Sequence, residues 1–289
     1  MIPYNTDAPI YHLPIGTFLL IFANVLCFAV HGPLDVGHPW VLELGTESNP
    51  LEWLSSMFAH DGVVHLVGNI YFLAIFGTIV EGKLGCKRFL PLYLFIGLID
   101  SAVTQLIMLP ASEGGVVGAS SAIMSLMAIC LVWAPQNELS VVFWAMFRLF
   151  LFQLSIFAYA MFYIVWEIFW LLIFQFQMST PALHLIGSIV GFTAGTLYVK
   201  KGWVDCENWD LFAVMAGTHG RFGDETTTVG SHADASLLFG KDVDVAEFLV
   251  PESLQSRRQP GVNLSQVNQL ITACFSKLLM SSFRCKWET

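Results

Sequence analysis

The stretch VVGASSAIMSLMAICLVWA, residues 116–134, begins with two adjacent serines and continues as an almost wholly apolar run. Such a run is typical of a helix that crosses a bilayer, which takes about 20 mostly apolar residues. Polar side chains are costly at that depth and mark functional sites. Ser120 and Ser121 are therefore candidates for a reactive hydroxyl, which would need partner side chains on neighbouring helices.

The composition is that of a membrane protein. Of the 289 residues, 55% are hydrophobic and 12% are charged, whereas a soluble domain carries roughly 25% charge. All 13 Lys and Arg residues follow residue 82, a distribution that argues against nucleic-acid binding. The six cysteines are scattered and indicate neither a disulfide framework nor a metal site. We expect no metal and no cofactor.

The apolar runs predict an all-α, polytopic fold with six membrane-spanning helices. Five runs are clear: 13–31, 63–82, 89–110, 119–135 and 182–199. A longer stretch, 141–176, is interrupted by polar residues and is predicted to cross once, at about 155–176, with 141–152 along the inner interface. The first run lacks the flanks of a signal peptide and is predicted to be a retained helix.

Basic residues indicate the orientation. They follow the second, fourth and sixth spans: Lys83, Lys87, Arg88, Arg148, Lys200 and Lys201. The opposite loops, 32–62 and 111–118, contain carboxylates but no Lys or Arg. Because basic loops stay cytoplasmic, both termini are predicted to be cytoplasmic. A bacterial inner membrane and a eukaryotic secretory-pathway membrane fit this pattern equally.

The composition also divides the chain into two parts. Residues 1–201 form the predicted six-helix membrane domain. Residues 202–289 are mostly polar and are predicted to form a partly flexible cytoplasmic tail. Within 262–280, apolar residues recur at helical spacing, which predicts an amphipathic helix.

Three polar side chains on different predicted spans lie at one depth. Counted from the cytoplasmic ends at about 1.5 Å per residue, Ser120, His184 and Asn69 lie roughly 22, 24 and 21 Å up. His65 is four residues from Asn69 and shares its helix face. The sequence therefore predicts a site several ångströms below the outer face of the membrane.

A stripe of glycines predicts which helices meet. Gly187, Gly191 and Gly195 repeat every fourth residue below His184, a pattern that lets another helix approach closely. The span that begins at 119 offers a matching small face: Ser121, Ala122, Ser125 and Ala128.

The residue types suit acyl transfer. A serine becomes a nucleophile when a histidine takes its proton, and fixed donors such as an asparagine amide, a histidine N–H and backbone amides stabilise the oxyanion. Gly118 would let a substrate approach the backbone. Ser120 would begin a helix whose free N–H groups point at developing negative charge. No carboxylate is evidently placed to orient His184, so these residues predict a Ser–His dyad rather than a triad.

The motifs resemble, in order and helix placement, those of the rhomboid intramembrane serine proteases. The matching residues are HxxxN followed by GxxxE (His65, Asn69, Gly77, Glu81), GxSx (Gly118, Ser120) and HxxGxxxG (His184, Gly187, Gly191). The resemblance covers residues 50–200, approximately. It departs at Ser121, where the family commonly has Gly, and at Leu51 and Glu52, where its first loop often carries a Trp-Arg pair.

The resemblance implies a six-helix catalytic core without a cofactor. It also implies cleavage of single-pass transmembrane proteins near the outer end of their helix. Ser120 would be the nucleophile and His184 the base, while Asn69, His65 and the backbone amide of Ser120 would stabilise the oxyanion. The supporting residues would be His60, Gly118, Glu81, Gly187 and Gly191.

Other interpretations stay open. A rhomboid-like pseudoprotease would bind or sort membrane proteins without cutting them, although it is loss of Ser or His that marks that class. A small transporter or channel would predict inverted repeats, which the sequence does not show. Ser121 is an alternative nucleophile, but one helical step turns it about 100° away. Asp100 and Gln105 have no predicted partner, and Glu167 would either line a lateral path for the substrate or bond to a neighbouring side chain.

Overall fold

The computed structural model describes residues 1–45, 48–108, 114–145, 148–175 and 180–220. The helices are α1 (Ile15–His31), α2 (Pro50–Ser55), α3 (Val63–Leu84), α4 (Cys86–Met108), α5 (Ser120–Trp133), α6 (Ile156–Ile173), α7 (Thr180–Lys200) and α8 (Leu211–Met215), with a 3-10 turn at Ser56–Phe58. The strands are β1 (Ile2–Thr6), β2 (Leu42–Leu44), β3 (Gly114–Val116), β4 (Glu138–Ala145) and β5 (Arg148–Ser155).

Each predicted span contains one of these helices. Within the described residues, α3, α4, α6 and α7 are long and apolar enough to cross a membrane, whereas α1 and α5 are apolar but shorter. Helix α5 ends at Trp133 because Pro135 follows two residues later and disfavours helix at the residue before it. At about 1.5 Å per residue, its 14 residues span only about 21 Å. The chain is therefore an integral membrane protein, and the number of its spans stays a prediction.

Two small sheets correct the all-α prediction, which is confirmed only in its coarser form, a mostly helical chain. Strands β1, β4 and β5 form an antiparallel sheet in the order β1-β4-β5, and β2 pairs with β3. The predicted interfacial lead-in, 141–152, belongs to the hairpin of β4 and β5, which pairs from Glu138↔Ser155 to Ala145↔Arg148. Its β-branched and aromatic residues favour a strand, and the pairing satisfies backbone groups that a lone segment would leave open.

The first strand joins two helices near the start of α6. The carbonyl of Met1 accepts hydrogen bonds from the hydroxyls of Tyr159 and Tyr163, at 3.2 and 3.1 Å. The carbonyl of Pro3 accepts another from Tyr71 on α3. Strand β1 therefore holds the beginning of α6 beside the middle of α3.

Helix α5 is the centre of the molecule. Every residue from Ala122 to Trp133 is buried, as expected for a helix that is apolar all round and surrounded by other helices. The helix packed most closely against α5 is α7. A Cβ at Gly187 would lie 2.2 Å from the carbonyl oxygen of Ser121, and one at Gly191 would lie 2.1 Å from that of Ser125. The predicted packing of the glycine stripe on the small face of α5 is thus confirmed.

Helices α5 and α7 run parallel, in a register that is constant along their contact. Ser121 Oγ donates to the carbonyl of Leu183 at 3.3 Å, and Ser125 Oγ lies 2.6 Å from that of Gly187. Trp133 Nε1 donates to the carbonyl of Gly195 at 2.9 Å. Each pair is separated by 62 residues. The first residues of α5 therefore lie beside the first turns of α7.

Glu81 fixes the beginning of α1. Its carboxylate accepts hydrogen bonds from the backbone N–H groups of Gly16 and Thr17 and from the Thr17 hydroxyl, each at 2.7 Å. These N–H groups belong to the first turn of α1 and have no partner within the helix. At Gly77, one turn earlier, a Cβ would lie 3.0 Å from Thr17. The GxxxE pattern therefore packs and caps α1.

The described part of the tail, residues 202–220, contains α8, whose first turn is capped by Asp210. Its carboxylate accepts hydrogen bonds from the backbone N–H groups of Phe212 and Ala213 at 3.0 and 3.2 Å. The rest of the predicted tail, 221–289, which includes the predicted amphipathic helix at 262–280, lies outside the described residues.

Candidate active site

A histidine and an asparagine form a buried pair at the start of α3. Asn69 Nδ2 lies 3.0 Å from His60 Nε2, and His60 Nδ1 lies 3.3 Å from the carbonyl oxygen of Phe58. An amide nitrogen only donates, so His60 Nε2 accepts and Nδ1 carries the hydrogen. Burial, followed by the neighbouring His65, lowers the pKa of His60 to about 4. His60 is therefore a neutral acceptor that fixes the Asn69 amide.

His65 is held by a carboxylate four residues earlier, just before α3 begins. Its Nδ1 lies 2.8 Å from Asp61 Oδ1, and its ring centroid lies 5.2 Å from that of His60. Because a carboxylate only accepts, Nδ1 donates to Asp61. The remaining ring nitrogen, Nε2, is left for the interior of the site.

The turn before α5 brings both α3 side chains to the predicted nucleophile. A Cβ at Gly118 would lie 2.7 Å from His65 Nε2 and 3.1 Å from Asn69 Nδ2, and the φ of Gly118 is 108°. Only glycine combines this backbone conformation with this contact. Its N–H donates to the carbonyl of Ser56 at 2.9 Å, which fixes the turn. His65 and Asn69 therefore lie beside the backbone two residues before Ser120.

The two adjacent serines have different surroundings. Ser120 is the first residue of α5 and is half-buried, so its backbone N–H is one of those that the helix leaves without an internal partner. Ser121 faces α7 and donates its hydroxyl hydrogen to Leu183. That bond engages the Ser121 hydroxyl and disfavours it as the nucleophile.

His184 lies in the first turns of α7, next to Leu183, which contacts Ser121 at the start of α5. Its Nδ1 lies 2.8 Å from Glu167 Oε1 on α6. Its Nε2 is buried and has no hydrogen-bond partner within the described residues. The hydrogen bond between Ser120 and His184 that a dyad uses is thus not formed in this structure. With Nδ1 donating to Glu167, Nε2 presents a lone pair.

The same arrangement of motifs is found in a known family. The model of the rhomboid domain matches residues 47–201, more than half of the chain. The chain belongs to the rhomboid family.

Curated relatives share part of this domain. The mitochondrial presenilin-associated rhomboid-like protein of Homo sapiens is 32% identical over 135 residues, which are 44% of this chain and 35% of that protein. The Bos taurus protein is 32% identical over 95 residues, 32% of this chain and 25% of the relative. The presenilin-associated rhomboid-like protein A of Danio rerio is 33% identical over 93 residues, which are 32% of this chain and 24% of that protein. The chain thus spans about a quarter to a third of the length of these relatives.

Glu167 is a neighbour of His184 that the sequence did not reveal. No carboxylate was evident to orient His184, whereas the structure has Glu167 Oε1 at 2.8 Å from His184 Nδ1. Glu167 lies on a different helix, 17 residues earlier in the chain, so no local spacing connects the two. A usable signal existed, because a carboxylate inside an apolar run marks a functional site by default.

Two other polar residues without a predicted partner have structural contacts. Asp100 Oδ2 lies 3.0 Å from Ser125 Oγ, between α4 and α5. Gln105 Oε1 accepts from Trp53 Nε1 at 2.6 Å, and Gln105 Nε2 donates to the carbonyl of Glu43 at 3.0 Å. Gln105 therefore anchors the first loop of the rhomboid domain, where the Trp-Arg pair is missing.

The predicted site residues fall into three groups. His65 and Asn69 lie at Gly118, two residues before Ser120, and His60 bonds to Asn69. Gly187 and Gly191 seat the helix of His184 against α5. Glu81 lies near the opposite end of α3, where it caps α1. No group of three or more His, Cys, Asp or Glu side chains that could hold a metal ion occurs in the part of the chain described by the structure.

Proposed function

We propose that this rhomboid-family protein is a serine endopeptidase that cleaves transmembrane proteins within the membrane. The observation that carries the proposal is the contact of His184 Nδ1 with Glu167 Oε1 at 2.8 Å. It leaves the lone pair on Nε2, and His184 lies on the helix packed against the start of α5. A histidine in this state is suited to accept a proton from a serine hydroxyl. Ser120 begins α5 and is the nucleophile.

Each step of acyl transfer has a residue to perform it. Ser120 Oγ attacks the scissile carbonyl carbon while its proton passes to His184 Nε2, and the carbonyl electrons move to the oxygen. His184 then returns the proton to the leaving amine, and water releases the acyl group by the reverse sequence.

The oxyanion has donors in the same pocket. The Asn69 amide uses one hydrogen for His60, and its second hydrogen is available for the oxyanion. The Ser120 N–H points along the helix axis, where the start of α5 favours negative charge. His65 Nε2 would donate as well when the ring is protonated, because Nδ1 already donates to Asp61.

The missing bond between Ser120 and His184 is compatible with activity. Catalytic hydrogen bonds are often long in the absence of substrate and tighten when substrate binds. The proposal therefore requires a change of side-chain orientation at the site but no new element.

The membrane arrangement belongs to the proposal. Six spans with both termini in the cytoplasm follow from the basic residues after residue 82. This arrangement places the site near the outer face, where single-pass transmembrane substrates would be cut. The relatives' names specify mitochondria, so a mitochondrial membrane joins the bacterial and secretory-pathway membranes as a candidate location.

A fluorophosphonate probe tests the proposal. The purified full chain in lipid is expected to be labelled at Ser120, and cleavage of a model transmembrane substrate is expected to fall at least about 10³-fold in Ser120→Ala. Ser121→Ala is the matched control and is expected to keep labelling, because that hydroxyl bonds to Leu183. Equal cleavage by wild type and Ser120→Ala would refute the assignment.

The second candidate is a rhomboid-like pseudoprotease that binds or sorts membrane proteins. The observation in its favour is that His184 Nε2 has no partner within the described residues, so Ser120 is not activated in this structure. It predicts that Ser120 stays unlabelled in folded protein and that Ser120→Ala captures the same membrane proteins as wild type.

A further inference from the structure

We propose that Glu167 is a positioning residue that holds the His184 ring in the tautomer required of a general base. The inference rests on the proposed protease function, and it makes the site a Ser–His–Glu arrangement rather than a dyad. Glu167 would touch no substrate and would act through the imidazole.

The contact between His184 and Glu167 allows only one position for the hydrogen of the neutral His184 ring. His184 Nδ1 and Glu167 Oε1 are 2.8 Å apart, and the side chains are only 18% and 10% exposed. An ionised carboxylate only accepts, so the hydrogen of a neutral His184 ring is on Nδ1. The lone pair is then on Nε2, the nitrogen that must receive the serine proton.

Nothing else in the described residues restrains this ring by a hydrogen bond. Nε2 has no partner there. The Ser188 hydroxyl donates to the backbone carbonyl of His184, at 2.8 Å, and does not reach the imidazole. Loss of the carboxylate would therefore free the ring to rotate and to carry its hydrogen on Nε2, a form that cannot accept a proton from Ser120.

The charge of Glu167 also suits the reaction. When Ser120 Oγ bonds to the substrate carbon, its proton moves to Nε2 and the imidazole becomes a cation with two N–H groups. The carboxylate stabilises this cation and keeps its own negative charge, so no proton moves to Glu167. The overall reaction stays peptide hydrolysis by one water.

A purely structural role predicts different results. Glu167 on α6 and His184 on α7 would then serve only to join two helices by an interhelical hydrogen bond. Its removal would lower thermal stability but would leave the rate of Ser120 labelling in folded protein unchanged. The reactivity of the folded protein therefore separates the two roles.

The direct test is solid-state 15N NMR of the full chain in lipid bilayers with labelled histidine. The protonated and lone-pair ring nitrogens give separate resonances, and those of His184 are assigned by their loss in His184→Gln in each background. We expect hydrogen on Nδ1 in wild type and a shift of hydrogen to Nε2 in Glu167→Leu. Hydrogen on Nε2 in wild type, or the same tautomer in both proteins, would overturn the inference.

The rate of fluorophosphonate labelling supplies the second measurement. We expect a loss of about 10- to 100-fold in Glu167→Gln and partial rescue by Glu167→Asp, which keeps the charge on a shorter side chain. These milder variants keep the test decisive if Glu167→Leu does not fold. Labelling of Glu167→Gln at the wild-type rate would contradict the inference.

Glu81→Gln is the matched control, because Glu81 is also a buried carboxylate but bonds to α1. It is expected to lower the melting temperature and leave the His184 tautomer unchanged. The proposed function has its own readout. If wild type is never labelled at Ser120, both the protease function and the positioning role of Glu167 are refuted. If wild type is labelled and Glu167→Leu reacts at the same rate, only the positioning role of Glu167 is refuted.

Discussion

Gly118 is the residue at which the site depends most on an absent side chain. Its φ of 108° strains any other residue, and a Cβ there would lie 2.7 Å from His65 Nε2. Substitution would therefore disturb the turn and displace the two proposed oxyanion donors together.

We predict that Gly118→Ala lowers fluorophosphonate labelling of Ser120 by at least about 100-fold, since misplacement of about 1 Å has effects of that size. Gly62→Ala is the control, because a Cβ there has nothing within 4 Å and its φ of −176° is ordinary extended backbone. Labelling rates of both variants, compared with wild type, check the prediction. Equal rates for Gly118→Ala and Gly62→Ala would contradict it.

His60 predicts a pH dependence of stability. Burial, with His65 as the second cause, lowers its pKa from the ordinary value of 6.5 to about 4. Between these values the unfolded chain binds more protons than the folded chain, so stability is complete above about pH 6.5 and falls as pH decreases towards 4. The loss is at most about 3 kcal/mol.

The measurement is thermal unfolding of wild type and His60→Gln from pH 7 to pH 4. Because Gln does not titrate in this range, the variant is expected to lose less stability than wild type on acidification. Parallel curves would show that His60 does not titrate as described.

At the residue scale, the sequence predicted the cluster of side chains at the start of α3 and missed a contact between two different helices. The spacing of His65 and Asn69 on one helix, followed by Gly118 before the serine, predicted the cluster that the structure shows. Glu167 was missed because its contact with His184 depends on how α6 rotates about its axis, which hydropathy does not determine.

Among the elements, the contact of α5 with α7 is the closest. Gly191 lies on the backbone of Ser125, where a Cβ would be 2.1 Å from the carbonyl oxygen and 2.4 Å from Cα. Backbone atoms cannot rotate away as a side chain can, so even one methyl group must separate the helices.

We predict that Gly191→Ala destabilises the protein by about 3 kcal/mol or more, at the upper end of typical overpacking effects. Gly68→Ala on α3 is the control, since a Cβ there has nothing within 4 Å, and it is expected to be neutral or up to about 1 kcal/mol stabilising. Melting temperatures in detergent compare the two. Similar melting temperatures would mean that the helices do not meet as described.

The helices could be predicted and the sheets could not. Apolar runs of about 20 residues are a strong signal for spans, and each predicted span contains a helix. The hairpin of β4 and β5 lies in an apolar stretch whose residues suit a strand and an interfacial segment equally. What decides between them is pairing with β1, more than 130 residues earlier, and such a contact leaves no local pattern.

For the whole molecule, the alternation of charge makes a prediction about sidedness. Single cysteines at Asp35, Lys87 and Lys201, in a chain whose own cysteines are replaced, should react with a membrane-impermeant maleimide according to side. These three residues are exposed in the structure. We expect Asp35→Cys to react in intact cells or vesicles from one side, and the other two from the opposite side only.

Reaction of Asp35→Cys and Lys87→Cys from the same side would show that α3 does not cross the membrane. Reaction of Lys87→Cys and Lys201→Cys from different sides would show an odd number of crossings between them. The experiment thus tests the span count that helix length alone leaves open, because α1 and α5 are shorter than the others.

The constant register of α5 and α7 has a consequence for how the site becomes active. Three side chains of α5 bond to carbonyls of α7 along almost its whole length, and the glycines between them leave no room for sliding. The two helices behave as one rigid body, so the backbones of Ser120 and His184 keep a fixed separation. In the proposed protease, the gap between the hydroxyl and the imidazole would therefore close by torsion about side-chain bonds, on the timescale of rotamer exchange rather than of helix displacement.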